Sequence, residues 1–196
     1  MVSAEQVREL REKTGLGIME CKKALAESQG ILEKAIEILR KKGLSSAELK
    51  KVRQVKEGII FSYIHFSNRI GVMLELCCES DFVAKTEDFQ NLGKDIVMHI
   101  AATNPLYISQ SEIPQEIIEK EMEIYKVEME QQNKPEKIIE QIIKGKLEKY
   151  YQMVCLLEQP FVKNGDLTIL KLIGEKISKL GENIIIRRFI RYELGK

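Results

Sequence analysis

The sequence has few residues from which a metal site or a disulfide framework could be built. The cysteines are Cys21, Cys77, Cys78 and Cys155, and the two histidines are His65 and His99. No two cysteines form a C-x-x-C pair, and two histidines are too few to complete a zinc ligand set. We therefore expect reduced thiols, mostly buried as small apolar side chains, and no metal site. A redox role is the alternative, although no neighbouring residue in the sequence marks a lowered thiol pKa.

Long apolar runs and an excess of one charge are also missing. No apolar run approaches the roughly 20 residues that span a bilayer, and the opening segment MVSAEQVREL has no apolar core of a secretory signal. The formal net charge is +1, so we expect no global attraction to nucleic acid or to anionic lipid. Apolar residues make up 44% and charged residues 31% of the 196 residues. This balance predicts a cytosolic globular protein with one ordinary domain and one small domain.

The first 43 residues contain three amphipathic helical patterns. Glycines at positions 15, 30 and 43 follow the three patterns and predict their ends. The apolar faces are Val7 and Leu10, then Ile18, Cys21, Ala24 and Leu25, and then Leu32, Ala35, Ile36 and Leu39. Three such helices predict a compact bundle. The polar, basic stretch 44–56 predicts a helical linker, and we place the domains at 1–55 and 56–196.

From residue 57 the apolar period changes from helical to alternating. Segments 58–66 and 69–79 flank a short turn at Ser67–Asn68, which predicts a β-hairpin. The second strand places Ile70, Val72, Leu74, Leu76 and Cys78 on one face. The last segment, 183–194, predicts a further strand with two partly apolar faces.

The remaining segments predict helices. Thr86 can cap a helix whose stripe contains Phe89, Leu92, Ile96 and Ile100. Two long patterns between 114 and 156, broken at 133–135, predict an antiparallel helical hairpin. A loop is predicted over 158–166, followed by a helix that begins at Asp166 or Thr168 and ends at Gly181. The predicted fold class is α+β, with an N-terminal three-helix bundle and a core of a three-stranded antiparallel sheet, packed helices and the helical hairpin.

The segment ESDFVAK, residues 79–85, places a phenylalanine at a polar strand-to-helix corner. Phe82 directly follows Ser80 and Asp81, two residue types that start and cap helices. Phe82 could pack inward as a hydrophobic staple to the next helix. It could equally be a probe directed at another molecule.

No catalytic constellation is found in the sequence. TGLGIMECKK lacks the spacing of a phosphate-binding loop, and no serine lies in a G-x-S-x-G context. The acidic group Glu79, Asp81, Glu87 and Asp88 lacks the spacing of a calcium loop, so helix-start charge explains it better. The basic stretch 39–56 has no aromatic residue for base stacking, which favours a solvated helix over a nucleic-acid site. The residues alone indicate a protein that works by binding.

Several segments resemble elongation factor Ts of bacteria and organelles. VRELREKTGLGIMECKKAL and EKAIEILRKKG resemble the opening signature of that family, and ELCCESDFVAK resembles its second signature. HIAATNPLY, LLEQPFVK and GENIIIRRFIRYELGK are similar to later family blocks. The resemblance covers the chain in order and is closest to the short form, which has one copy of the core module.

The resemblance implies a guanine nucleotide exchange factor that binds elongation factor Tu and promotes GDP release. It implies no covalent chemistry, no catalytic residue, no cofactor and no direct nucleic-acid contact. The implied partner-binding residues, which act near the magnesium and phosphate site, are Ser80, Asp81, Phe82, Val83, Ala84 and Lys85. Phe82 would enter an apolar crevice of the GTPase domain of Tu, while Asp81 would cap the helix, contact the partner, or do both. The first 43 residues would form a ubiquitin-associated-like bundle that contacts the same GTPase domain.

The family also implies a homodimer through the core sheets, in a bacterial cytoplasm or an organellar matrix or stroma, without membrane attachment. The terminal strand 183–194 is our candidate for the dimer contact. Three positions depart from the family pattern: Cys77 replaces Asn, Ser80 replaces Thr and Lys85 replaces Arg. The alternative function is a structural or RNA-associated translation protein without exchange activity. An enzyme with an unrecognised site is a third option, which no group of residues supports.

Overall fold

The computed structural model describes residues 2–50, 53–130 and 135–196 of the chain. The helices in these ranges are α1 Ala4–Thr14, α2 Ile18–Glu27, α3 Leu32–Lys50, α4 Asp81–Ala84, α5 Glu87–Thr103, α6 Gln115–Glu130, α7 Glu136–Val154 and α8 Ile169–Leu180. The strands are β1 Glu57–Ile64, β2 Ile70–Cys78, β3 Pro160–Phe161, β4 Asn164–Thr168 and β5 Ile184–Glu193. Short 3-10 turns occupy Gln110–Glu112 and Leu156–Glu158. The predicted α+β class is confirmed.

The N-terminal helices form the predicted bundle. Ser3 and Gln6 make a reciprocal capping box at the start of α1, and Gly15, with φ of 68°, ends that helix. The buried bundle core consists of Leu10, Cys21, Ala24, Leu25, Ala35 and Leu39. Ile18, which the helical period places with Cys21, is 54% exposed at the start of α2. That one assignment to the core face is wrong.

Gly43 does not end α3, contrary to the prediction. The helix continues through it to Lys50, and the predicted linker therefore begins as helix. Residues 51 and 52 of the linker lie outside the described residues. A Cβ atom at Gly43 would lie 2.9 Å from Ser178 Oγ of α8. Close packing against α8, and not a left-handed helix end, therefore explains this glycine.

The three-stranded sheet has the order β1-β2-β5, and its antiparallel arrangement confirms the prediction. The turn after β1 is closed by a 2.9 Å hydrogen bond from the His65 N–H to the Ile70 carbonyl, and Asn68 has a φ of 54°. The predicted inner face of β2 is largely buried: Val72, Leu74, Leu76 and Cys78 are each at most 2% exposed. The terminal strand is confirmed as β5.

Helix α5 begins and packs as the sequence predicts. The Thr86 hydroxyl accepts a hydrogen bond of 3.3 Å from the Phe89 N–H, and all four stripe residues are at most 1% exposed. Gly93 lies one turn after Phe89, where a Cβ atom would be only 2.3 Å from two ring atoms of Phe61. The Phe61 ring, 7% exposed, therefore lies directly on the backbone of α5.

The segment after α7 is more regular than the predicted loop. β3 and β4 pair antiparallel, with Phe161 opposite Asn164, and α8 begins directly after Thr168. The helix ends before Gly181 as predicted, with a Gly181 φ of 81°. The loop prediction was wrong because a two-residue strand is too short to show an alternating period.

The helical hairpin of α6 and α7 agrees with the prediction. Lys146 of α7 pairs with Glu128 of α6 and lies 5.1 Å above the centre of the Tyr125 ring. Tyr150, later in α7, interacts electrostatically with Glu121, earlier in α6, and this reversed order of the two pairs is that of antiparallel helices. The predicted break at 133–135 falls partly on residues outside the described ranges.

The contacts divide the chain into two compact units. One contains Met1–Phe61, Leu74–Asp95 and Lys171–Phe189, and the other contains Ser62–Met73, Ile96–Leu170 and Ile190–Lys196. The domain division predicted at residues 55 and 56 stays a prediction.

His99 and the cysteines lie in the interior. The His99 ring is fully buried, and its Nε2 lies 2.9 Å from Gln159 Oε1 while its Nδ1 accepts from the Val162 N–H at 3.3 Å. With Nδ1 as acceptor, Nε2 carries the proton, and burial lowers the pKa of the ring. All four cysteines are free and buried, as predicted. Burial raises the pKa of Cys78 and of Cys155 to about 11.

Candidate functional site

The corner between β2 and α5 is built around one capping serine. Ser80 has extended backbone, with φ of −131° and ψ of 156°, and its hydroxyl accepts a hydrogen bond from the Val83 N–H at 3.4 Å. Ser80 is therefore the N-cap of α4, which leaves the carboxylate of Asp81 free of that task.

Phe82 points away from the protein. Its side chain is 80% exposed, although it lies in a helix whose next two residues, Val83 and Ala84, are 8% and 5% exposed. The inward-packed staple is therefore wrong for Phe82. An aromatic ring on a short, anchored helix offers a large apolar contact with little conformational entropy left to lose.

Asp81 and Lys85 form an ion pair across the outer side of α4. Lys85 Nζ lies 2.7 Å from Asp81 Oδ2, and the two side chains are 74% and 49% exposed. The hydrogen bond from Lys85 lowers the pKa of Asp81, and the backbone N–H groups of Asp81 and Phe82 act in the same direction. Because the pair is open to solvent, water screens its attraction, and both charges stay accessible on the outer side of α4.

The far end of α4 is anchored by the start of α5. The Thr86 hydroxyl donates to the Val83 carbonyl at 2.7 Å, and Gln90 Nε2 donates to the Ala84 carbonyl at 3.1 Å. Val83 and Ala84 themselves face inward. Of the six residues named from the sequence, Phe82 and Lys85 are largely exposed and Asp81 is half-exposed, and the other three hold the turn.

Two carboxylates hold this corner against the segment after α8, and the sequence reasoning did not connect one of them, Glu182, to the corner. Glu182, in the turn after α8, accepts hydrogen bonds from the Ser80 N–H at 3.0 Å and from the Ser80 hydroxyl at 2.6 Å. Glu79 in turn accepts from the Asn183 N–H at 2.6 Å. Glu182 is 102 residues from Ser80, and an acid after a helix-ending glycine is too common a pattern to identify it.

Two of the three departures from the family pattern, Cys77 and Ser80, lie on the inner side of the corner, and Lys85 lies on the outer side. Cys77 is 4% exposed and its thiol lies 3.7 Å from Glu75 Oε1, so the amide that Asn would supply faces the interior. Ser80 uses its hydroxyl both as donor and as acceptor. Lys85 keeps a charge next to Asp81 but has no fork for a bidentate contact.

Glu79, Asp81 and Asp88, near the corner, are paired with cations or N–H groups. Asp88 pairs with Lys176 at 2.6 Å and with Lys179 at 2.8 Å, which lowers its pKa. Nowhere in 2–50, 53–130 and 135–196 do three or more His, Cys, Asp or Glu side chains come together as a metal site. None of the helices in the described part of the chain combines the length and the apolar run that crossing a bilayer requires.

The whole chain is similar to proteins of one family. The model of the family described as Elongation factor TS matches residues 5–196. The chain is 57% identical over 195 residues to Elongation factor Ts of Syntrophus aciditrophicus, covering 100% of this chain and 97% of the relative. The identity and both coverages are the same for Elongation factor Ts of Thermodesulfovibrio yellowstonii. The chain is 55% identical over 196 residues to Elongation factor Ts of Acetivibrio thermocellus, covering 100% of this chain and 91% of the relative. Because the match runs through both compact units and the β2–α5 corner, the chain belongs to the elongation factor Ts family of translation elongation factors.

Proposed function

We propose that this protein binds elongation factor Tu in its GDP form and promotes GDP release by inserting Phe82 into the GTPase domain. The observation that carries the proposal is the 80% exposure of Phe82 on an otherwise anchored turn. Asp81 and Lys85 flank the ring, so the inserted surface is an apolar tip with one charge of each sign beside it. Their outward-facing charges would meet polar groups next to the crevice.

The energetics limit how much Phe82 can do alone. The exchange factor weakens the binding of GDP, and GDP weakens the binding of the exchange factor to the same extent, since coupling between two ligands is reciprocal. Each tenfold loosening of GDP requires about 1.4 kcal/mol of differential binding. Full burial of a phenylalanine side chain supplies about 1.5–3 kcal/mol. Phe82 can therefore account for a tenfold to roughly hundredfold effect, and the rest must come from Asp81, Lys85 and other contacts near the magnesium site.

The proposed activity involves no covalent step. The exchange factor binds and dissociates unchanged. GDP is released because the partner shifts from its GDP-bound state to the state bound to the exchange factor. We therefore classify the protein as an exchange factor and not as an enzyme in the chemical sense.

The test is the release of a fluorescent GDP analogue from the cognate elongation factor Tu. We expect rapid release with the parent protein and a tenfold to hundredfold slower release with Phe82→Ala. Phe66→Ala is the matched control, because Phe66 is another exposed phenylalanine, 88% exposed in the β1–β2 turn. A parent protein that does not accelerate release would refute the proposed function. If Phe82→Ala releases GDP as fast as the parent, exchange depends on contacts other than Phe82.

The N-terminal bundle is the second contact that we propose. It would act as a ubiquitin-associated-like domain on the GTPase domain of Tu. Ile18 and Met19, 54% and 64% exposed at the start of α2, give the bundle an apolar surface beside the Gly15–Gly17 turn. These side chains support a binding role because they add nothing to the bundle core.

We also propose a homodimer formed through the outer face of the sheet. Ile64, Met73, Ile190 and Tyr192 are between 44% and 65% exposed. Ile64 and Met73 alternate with buried or half-buried neighbours, and Arg191, between Ile190 and Tyr192, reaches the Ala101 carbonyl of α5. These four side chains therefore lie on the face turned away from α5, where a second copy could cover them.

The compartment that we propose is the bacterial cytoplasm. The relatives named above are bacterial proteins with the same translational role by name. An organellar matrix or stroma is the other location in which the family works.

A further inference from the structure

The helix that carries Phe82 is too short to fix its own direction. α4 has four residues, and forming a single helical turn is unfavourable for an isolated chain. The orientation of Phe82 must therefore be set by groups outside α4. Thr86 and Gln90 hold its far end, and Ser80 holds its beginning.

Glu182 fixes Ser80 through both carboxylate oxygens. Oε2 accepts the Ser80 N–H at 3.0 Å, and Oε1 accepts the Ser80 hydroxyl at 2.6 Å. A serine hydroxyl has one hydrogen, so donating it to Glu182 leaves the oxygen lone pairs for the Val83 N–H. Glu182 thus sets the direction of the capping hydroxyl, through hydrogen bonds strengthened by its charge.

Glu182 is itself held in place. Gly181, with φ of 81°, ends α8 and turns the chain toward β5. The next residue, Asn183, is 1% exposed and donates its N–H to Glu79 at 2.6 Å. Each segment therefore supplies a carboxylate to the backbone of the other, Glu79 to Asn183 and Glu182 to Ser80. This reciprocal pair fixes the spacing between the two segments.

We propose that Glu182 is a positioning residue for nucleotide exchange, which holds Ser80 so that Phe82 is presented to the partner in one orientation. The inference depends on the proposed function, because positioning matters only if Phe82 acts on a partner. Glu182 acts through Ser80 and does not need to touch the partner. A misplacement of about 1 Å at a reacting or binding group can cost as much as a hundredfold.

The first experiment compares GDP release by Glu182→Ala, Glu182→Gln and Ile173→Val. We expect the maximal rate to fall about tenfold in Glu182→Ala, with the half-saturating concentration within about twofold of the parent, because the bundle contact remains. Glu182→Gln should recover most of the rate, since its amide can accept from the Ser80 N–H and donate to the Ser80 oxygen. Ile173→Val is the control for general destabilisation, because it removes a methyl group from a 5% exposed position of α8. In a Phe82→Ala background, Glu182→Ala should have a smaller effect than in the parent, because only Asp81 and Lys85 remain for the capped turn to position.

Amide hydrogen exchange of the free protein provides a readout that does not depend on Tu. Glu182→Ala should lose protection at the Ser80 and Val83 amides, while Ile173→Val should keep it. Unchanged protection of the Ser80 and Val83 amides in Glu182→Ala would overturn the inference. So would GDP release that is as fast with Glu182→Ala as with an active parent. An equal loss of rate in Ile173→Val would show that only stability is involved. If the parent does not accelerate GDP release, the proposed function fails. The role of Glu182 in exchange then fails as well, even if Glu182→Ala loses amide protection at Ser80 and Val83.

Discussion

The contact of Phe61 with Gly93 predicts opposite outcomes for the same substitution in two helices. Gly93 and Gly145 both lie inside long helices, α5 and α7. A Cβ atom at Gly93 would lie 2.3 Å from two Phe61 ring atoms, whereas nothing lies within 4 Å of one at Gly145. Replacing glycine by alanine within a helix is worth about 1 kcal/mol when nothing interferes. We therefore expect Gly145→Ala to stabilise the protein by about 1 kcal/mol.

At Gly93 the gain in helix propensity is outweighed by overpacking. The Phe61 ring must retreat by about 1 Å to reach normal van der Waals distance. The ring is 7% exposed and lies 6.1 Å from the Phe89 ring, so it has little free space to enter. Overpacking of a dense core costs about 1–3 kcal/mol, and the loss of an aromatic contact adds about 0.5–1.5 kcal/mol. After subtracting the gain of about 1 kcal/mol in helix propensity, the expected net loss for Gly93→Ala is about 0.5–3.5 kcal/mol.

Thermal and urea unfolding of both variants, each compared with the parent, measure this difference. The two melting temperatures should differ by about 3–18 °C for a chain of this size. In a Phe61→Ala background the sign at position 93 should reverse, because the added methyl group enters space that the ring has vacated. If Gly93→Ala stabilises the parent as much as Gly145→Ala does, the close contact of Phe61 with α5 is wrong.

Two further predictions concern the buried histidine and the proposed dimer. Burial lowers the pKa of His99 in the folded state below its ordinary value of 6.5, so the unfolded chain binds a proton that the folded protein does not, and stability is lost as pH falls below about 6.5. We expect the free energy of unfolding to fall as the pH is lowered from 7.5 to 5.5, by at most about 1.4 kcal/mol per pH unit for this one proton. Urea titrations of a His99→Gln variant should show a clearly weaker pH dependence than the parent over that range. For the dimer, light scattering at micromolar concentration should give twice the chain mass for the parent and the chain mass for Tyr192→Lys, since a charge would be buried against a second copy. A monomeric parent would contradict the dimer.

Most of the elements could be predicted because their apolar periods are long enough to count. The stripe of α5 and the inner face of β2 each extend over four or more residues, and both are buried as expected. Gly43 was misinterpreted because a glycine that stops a helix and one that admits a neighbouring helix look alike in sequence. Only the position of Ser178, far along the chain, distinguishes the two cases.

The candidate site was only partly predictable for a related reason. Its local part, a capping serine followed by a phenylalanine, is contained in seven consecutive residues. Whether Phe82 packs inward or stays exposed depends on what the fold places beside it, and the sequence left both alternatives open. Glu182 lies 102 residues from Ser80 along the chain, so no local pattern could connect the two.

Helix α8 touches both of the elements through which we propose that the protein contacts its partner. Its Ser178 and Lys179 lie against Gly43 and Gly15 of the N-terminal bundle, and the turn at its end supplies Glu182 to the Phe82 corner. An α-helix turns by about 100° per residue. One residue inserted between Ser178 and Leu180 would therefore rotate the Glu182 turn by that angle relative to the bundle. The number of residues in this helix therefore sets the distance and the relative orientation of the two proposed binding elements.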